Sequence, residues 1–244
     1  MFKKILIAIC TVVAAAYLFL AVTAFNRKPA GQTCPDLELL VRDSVYAGFV
    51  TGQDVSALLH RQGLDPVGKS MDSIDTRRME QALAGHPLID GVECYKTPGG
   101  RVCVEVSQRL PILRVMGDGE DSYYVDSKGR VMPLSAKCVA RLPVVTGHVS
   151  RDFATGPLHG FGLFLQQDPF WQAQTEQIHI LPDQTVELAP RVGDHLIYLG
   201  KLKGYEQKLK RVRLFYEKAL NRVGWNKYSR INVEFDNQII CTRR

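Results

Sequence analysis

Apolar residues at three- and four-residue steps mark the strongest helix in the chain. Leu202, Tyr205, Leu209, Val212, Tyr216, Ala219 and Val223 share one face across 201–224, opposite a face rich in Lys and Arg. The period then changes. In "YSRINVEFDNQIICTRR", Ile231, Val233 and Phe235 alternate with Asn232, Glu234 and Asp236, which predicts a strand running to Ile240. Only four residues follow Ile240, so this strand is expected at a sheet edge, where unpaired backbone groups invite another chain.

The same reading divides the rest of the chain in two. After a polar linker (26–35), "LELLVRDS" (37–44) reads as a strand and 50–63 as a helix, with Thr51 as N-cap, Val55, Leu58 and Leu59 on one face, and Gly63 as the stop. A second helix lies in "DSIDTRRMEQALAGHP", capped by Asp75 or Ser73 and ended by Gly85 and Pro87. "IDGVECYKT" and "RVCVEVSQ" are two strands around a Pro-Gly-Gly turn, giving β-α-α-β-β over 36–108. From 109 to 244 strands dominate. "SYYVDSKGRVMPL" and "QIHILPDQTVELAP" read as hairpins, "CVARLPVVTG" and "DHLIYLG" as strands, and "GPLHGFGLFLQQDPFWQAQTE" as partly helical. The predicted fold class is α+β: a small β-α-α-β-β unit, then a mostly antiparallel β-domain with helices on one face.

The first 25 residues stand apart. Behind a basic start (1–4), residues 5–25 carry no charge, and at about 1.5 Å per residue they span about 30 Å, the thickness of a bilayer core. This predicts a transmembrane helix; a signal peptide cleaved after Val22-Thr23-Ala24 is the competing reading, and the length of the run favours the anchor. Either one puts the bulk of the chain outside the cytoplasm. The short basic tail sets the anchor N-inside.

Composition is that of a globular chain, with a net charge of +6. Eight Lys or Arg against Glu206 and Glu217 in 201–222 invite a nucleic-acid reading, but the extracytoplasmic location opposes it and a solvated helix face explains the pattern. No nucleic-acid partner is expected. The six histidines fall in no metal-protease or nucleophile motif, and the cysteines lack zinc spacing, so neither catalysis, cofactor nor metal is expected. Cys94 and Cys103 flank the Pro-Gly-Gly turn. An even loop sets them directly opposite each other, ready for a disulfide; an odd loop sets them out of register as two reduced thiols.

In order and kind these features resemble the bacterial FtsQ/DivIB family, with "WQAQTEQIHI", "VELAPRVGDHLIYLG" and "GWNKYSRINVEFDNQIIC" similar to Bacteroidetes members. The resemblance covers nearly the whole chain. It implies a POTRA-like domain over 36–108, an FtsQ-type β-domain over 109–244, and a non-enzymatic scaffold of cell division in the inner membrane at the septum. The implied partners are the membrane-anchored coiled-coil proteins FtsB and FtsL, and through them the septal peptidoglycan synthase. The implied partner-binding residues are Tyr228, Ile231, Val233, Phe235, Asp236, Asn237, Gln238 and Ile239, to which a partner segment adds a strand. Of these, Phe235 and Tyr228 are the aromatic anchors, unless Phe235 is simply core beside Ile231 and Val233. The alternative function is a secreted or envelope β-rich binding module with no part in division.

Overall fold

The computed structural model describes residues 2–25, 31–42, 48–117, 122–135 and 137–244. Residues 26–30 of the predicted linker, 43–44 of the predicted first strand and most of the "GDGED" turn lie outside this set. Helix α1 (Phe2–Phe25) coincides with the predicted apolar run. Its side chains are described at Lys3 and over 9–22, fourteen residues where a span takes about 20. Among the described residues no helix is long and apolar enough to cross a membrane.

The small unit runs β1 (Leu37–Arg42), α2 (Gly52–Arg61), α3 (Thr76–Ala84), β2 (Ile89–Lys96), β3 (Val102–Gln108). The strands stand in the order β1-β3-β2, with β1 parallel to β3. Local signals fix the helix ends. Thr51 and Asp54 form a reciprocal capping box on α2, and the Asp75 side chain accepts the Arg78 N–H of α3. Gly63 takes φ +68° just beyond α2, where a side chain is disfavoured. Val55, Leu59, Met79 and Leu83 pack on Val102, Val104 and Val106 as one core.

Cys94 and Cys103 are not opposite each other. Lys96 pairs with Val102 and Tyr95 with Cys103, so the loop between the strands, 97–101, has an odd length and Cys94 meets Val104. Adjacent positions put the two thiols on opposite faces of the sheet. Both are free; burial, with Glu80 nearby, pushes the Cys94 thiol up to about 12.

The second unit is a nine-stranded mixed sheet. In chain order its elements are β4 (Pro111–Val115), β5 (Tyr123–Asp126), β6 (Val131–Pro133), β7 (Val144–Gly147), α4 (Arg151–Thr155), α5 (Pro157–Gln167), α6 (Pro169–Gln174), β8 (Thr175–Ile180), β9 (Val186–Pro190), β10 (Leu196–Gly200), α7 (Tyr205–Phe215), a π-helical turn (Tyr216–Leu220), α8 (Asn221–Val223), β11 (Tyr228–Asn232) and β12 (Ile240–Arg243). The sheet order is β12-β11-β10-β9-β8-β7-β4-β5-β6; β10–β11, β8–β7 and β7–β4 are parallel and the other five neighbouring pairs antiparallel. Leu158, Phe161, Leu165, Trp171, Leu209, Val212, Tyr216 and Leu220 from the helices share one core with the strands. Gly162 lets α5 approach β4: a Cβ there would sit 2.9 Å from the Leu113 side chain.

The helix over 201–224 differs from its sequence pattern at both ends. It starts at Tyr205, and beyond Phe215 its turns widen to the π form, in which a four-residue step stays on one face. Leu220 is therefore the buried residue there, while Val223 is 42% exposed.

The two units meet on the helix-free face. Tyr124 and Met132 pack with Phe49, Leu88 and Leu142, and the Phe49 and Tyr124 rings lie edge to face at 5.8 Å. A buried carboxylate ties the joint together. Asp126 accepts from Arg109 Nε at 2.8 Å and Arg130 Nε at 3.0 Å, and from the backbone N–H groups of Lys128 and Arg130. Arg109 also donates to Pro87 O and Val131 O, bridging the units. Burial pushes the Asp126 carboxyl up, but these donors outweigh it and hold it below the usual carboxylate range.

Candidate partner-binding edge

The nine-stranded sheet has two ends, and they differ chemically. At the β6 end, Asp126 N–H bonds to Arg130 O, which makes Tyr124↔Met132 the next inward-bonding pair and turns the backbone of Val131 and Pro133 off the sheet. Val131 O is taken by Arg109, and Pro133 has no N–H. Two of the four outward groups are thus closed to a new strand, as in protected native edges.

At the other end β12 has one neighbour, β11, among the described residues. The ladder fixes its orientation. Val233 N–H donates to Tyr198 O at 3.0 Å, so Val233 and Ile231 turn their backbone groups to β10. Arg230 and Asn232 then face β12, and their partners Thr242 and Ile240 face inward. This leaves the N–H and C=O of Cys241 directed off the sheet, without a neighbouring strand. The Cys241 side chain lies on the core side and burial pushes its thiol up, so the strand offers backbone here rather than a reactive sulfur.

The strand predicted through 231–240 is in fact two. β11 ends at Asn232, the chain turns through 233–239, and β12 returns antiparallel with Asn232 opposite Ile240. The residues named from the sequence divide accordingly. Ile231 and Val233 are wholly buried in the core. Tyr228 opens β11 half-buried, its ring 6.1 Å from that of Phe215. Phe235, Asp236, Asn237 and Gln238 are exposed in the turn, and Ile239 is half-buried against the core. Phe235 is 48% exposed, so it is not a core residue, and Ile240, five residues on, is 46% exposed. The edge itself, Ile240 to Arg243, was not among the residues named. The Asp236-Asn237 pair, a common turn former, was the signal for the break.

What surrounds the edge is basic and braced. Residues 201–244 hold twelve Lys and Arg against four Asp and Glu. Buried Lys208 donates to Leu199 O and Lys201 O, Arg211 to Val233 O, and Arg244 to Asp194 O. Each ties a strand end or the turn to its neighbours. His195, buried beneath this corner, bonds Tyr216 Oη at 2.6 Å, and burial followed by the Arg244 charge lowers its pKa. Among the described residues no group of His, Cys, Asp and Glu is placed to hold a metal.

A small β-α-α-β-β unit followed by a nine-stranded mixed sheet with one blunted and one open edge defines a two-unit α+β protein. Comparison with known proteins gives the family. Residues 110–242 match the family described as FtsQ/DivIB, C-terminal related, and residues 32–107 match a POTRA-like domain. Cell division protein FtsQ of Rhodothermus marinus is 25% identical over 185 residues, 71% of this chain and 67% of that protein. The chain belongs to the FtsQ/DivIB family.

Proposed function

We propose that the chain is a non-enzymatic scaffold of the division machinery that captures a partner segment as an added strand on β12. The observation that carries this is the difference between the sheet's ends: at the β6 end Arg109 occupies Val131 O and Pro133 lacks an N–H, so no residue there offers both backbone groups, while at the β12 end Cys241 presents both its N–H and its C=O. Main-chain pairing supplies affinity there, and exposed Phe235 and Ile240 with half-buried Tyr228 and Ile239 supply apolar contacts for specificity. The partners are FtsB- and FtsL-like coiled-coil proteins, and through them the septal peptidoglycan synthase is positioned and controlled. Residues 5–25 hold the chain in the inner membrane as a single-pass anchor with its bulk in the periplasm. The unit over 36–108 serves contacts with other division proteins and that over 109–244 carries the edge. The family match and the division-protein relative support this reading.

The test is to image dividing cells of the source bacterium carrying a fluorescent protein fused to the N-terminus. A midcell band is expected. An even peripheral signal would contradict the division role and leave an envelope binding module.

A further inference from the structure

The helix-free face of the sheet carries a second feature, remote in sequence from the β12 edge. Arg114 of β4 pairs across the sheet with Tyr124 and Val144, so its side chain lies on the face where the two units meet. There Arg114, Arg141 and Arg191 line a concavity of about 420 Å³ with Glu176, Ala140, Leu142 and Val144. Glu176 is the single acid of that lining, and it is paired with Arg191 at 2.7 Å. Among the described residues Arg114 and Arg141 have no acidic partner, and Arg114 Nε is buried without any hydrogen-bond acceptor. A buried guanidinium N–H left unsatisfied is costly, and one carboxylate cannot balance three guanidinium groups in one hollow.

We infer that this hollow is a binding site for a multivalent oxyanion of the phosphate class, either a free diphosphate or the phosphate of a lipid headgroup. Planar guanidinium forks match the oxygens of such a group two at a time, which a lysine cannot do. The volume lies within the range of small-ligand sites. Leu142 and Val144, both half-buried, form the apolar part of its lining. The site does not depend on the β12 edge.

The test uses the full chain in neutral-detergent micelles, titrated calorimetrically with inorganic pyrophosphate at constant ionic strength. A parallel titration uses phosphatidic acid mixed into the micelles at the same phosphate concentration. Saturable binding of either probe is expected, and which one binds identifies the source. Arg141→Gln and Arg191→Gln, both at exposed positions, are expected to weaken it about tenfold or more each. Arg114→Lys, which keeps the charge but loses the fork, is expected to do the same with an unchanged melting curve. Absence of saturable binding of both probes overturns the inference, as does binding unaltered by the three variants. A glutamate-rich peptide that binds more tightly than pyrophosphate and is lost in the same variants overturns the phosphate assignment in favour of a protein ligand.

Discussion

Replacing Asp126 by Asn is the sharpest probe of how the two units are joined. The carboxylate is 1% exposed and takes four donors: two guanidinium groups and two backbone N–H groups. An amide offers one acceptor oxygen, so two of these donors face an NH2 group and two buried guanidinium contacts lose their counter-charge. Breaking a buried ion pair from one side costs about 3–5 kcal/mol. Arg130 is 48% exposed and keeps Asp90 at 2.5 Å, which offsets part of the loss; Arg109, 10% exposed, has no such outlet. The expected cost is therefore about 3 kcal/mol, the low end of that range. For a unit of this size that lowers Tm by roughly 6–12 °C. The assay is thermal unfolding of the full chain followed by circular dichroism at neutral pH, with limited proteolysis of the joint. The sign with pH follows from the depressed carboxyl. Its contribution is fully present above the ordinary value of 3.8 and is lost as pH falls through the lower folded-state value. The difference between wild type and Asp126→Asn should thus shrink below about pH 4. A loss under about 1 kcal/mol at neutral pH, the range of an exposed pair, would refute the reasoning.

Cys241→Pro removes the outward N–H of β12 and is expected to weaken partner binding by about tenfold while the melting curve holds within a few degrees; unaltered binding to the coiled-coil pair in a pull-down titration counts against the edge. Phe235→Ala should change stability by less than about 0.5 kcal/mol, because the ring is half exposed in a turn, yet should reduce affinity measurably by calorimetry. Gly147→Ala is expected to destabilise by more than about 2 kcal/mol in urea melts, since φ is +89° and the new Cβ would lie 2.1 Å from Ile180 O. Thr51→Ala, which removes one half of the capping box on α2, should cost about 1 kcal/mol in the same assay.

Local chemistry was legible in the sequence wherever it governs the structure. Thr51 and Asp75 cap the helices for which they were read, and the turn between β5 and β6 closes at Gly129 with φ +74°. The candidate site was legible only as a region. Alternation through Ile231, Val233 and Phe235 reads as one strand because the first two fill the core and the third merely continues the period. The chain leaves the sheet at Asn232, and nothing in the apolar pattern marks that point. The terminal edge strand, Ile240 to Arg243, is too short for its alternation to register. β4 was also hidden, since "PILRV" has four buried positions spread over both faces and does not alternate apolar with polar. The separation of Cys94 from Cys103 rests on the parity of a five-residue loop, a tertiary choice that Gly99 and Gly100 within it leave open. The blunted β6 end depends on Arg109 reaching Val131 from the connector between β3 and β4, a contact no local pattern announces.

Strand addition at β12 stands or falls on the backbone of Cys241. Amide hydrogen exchange, read residue by residue with and without the proposed FtsB- and FtsL-like pair, isolates it. Cys241 N–H is expected to exchange freely alone and to become strongly protected at saturating partner, while the amides of β6 stay unaltered. Free exchange at Cys241 in a saturated complex would contradict strand addition at β12.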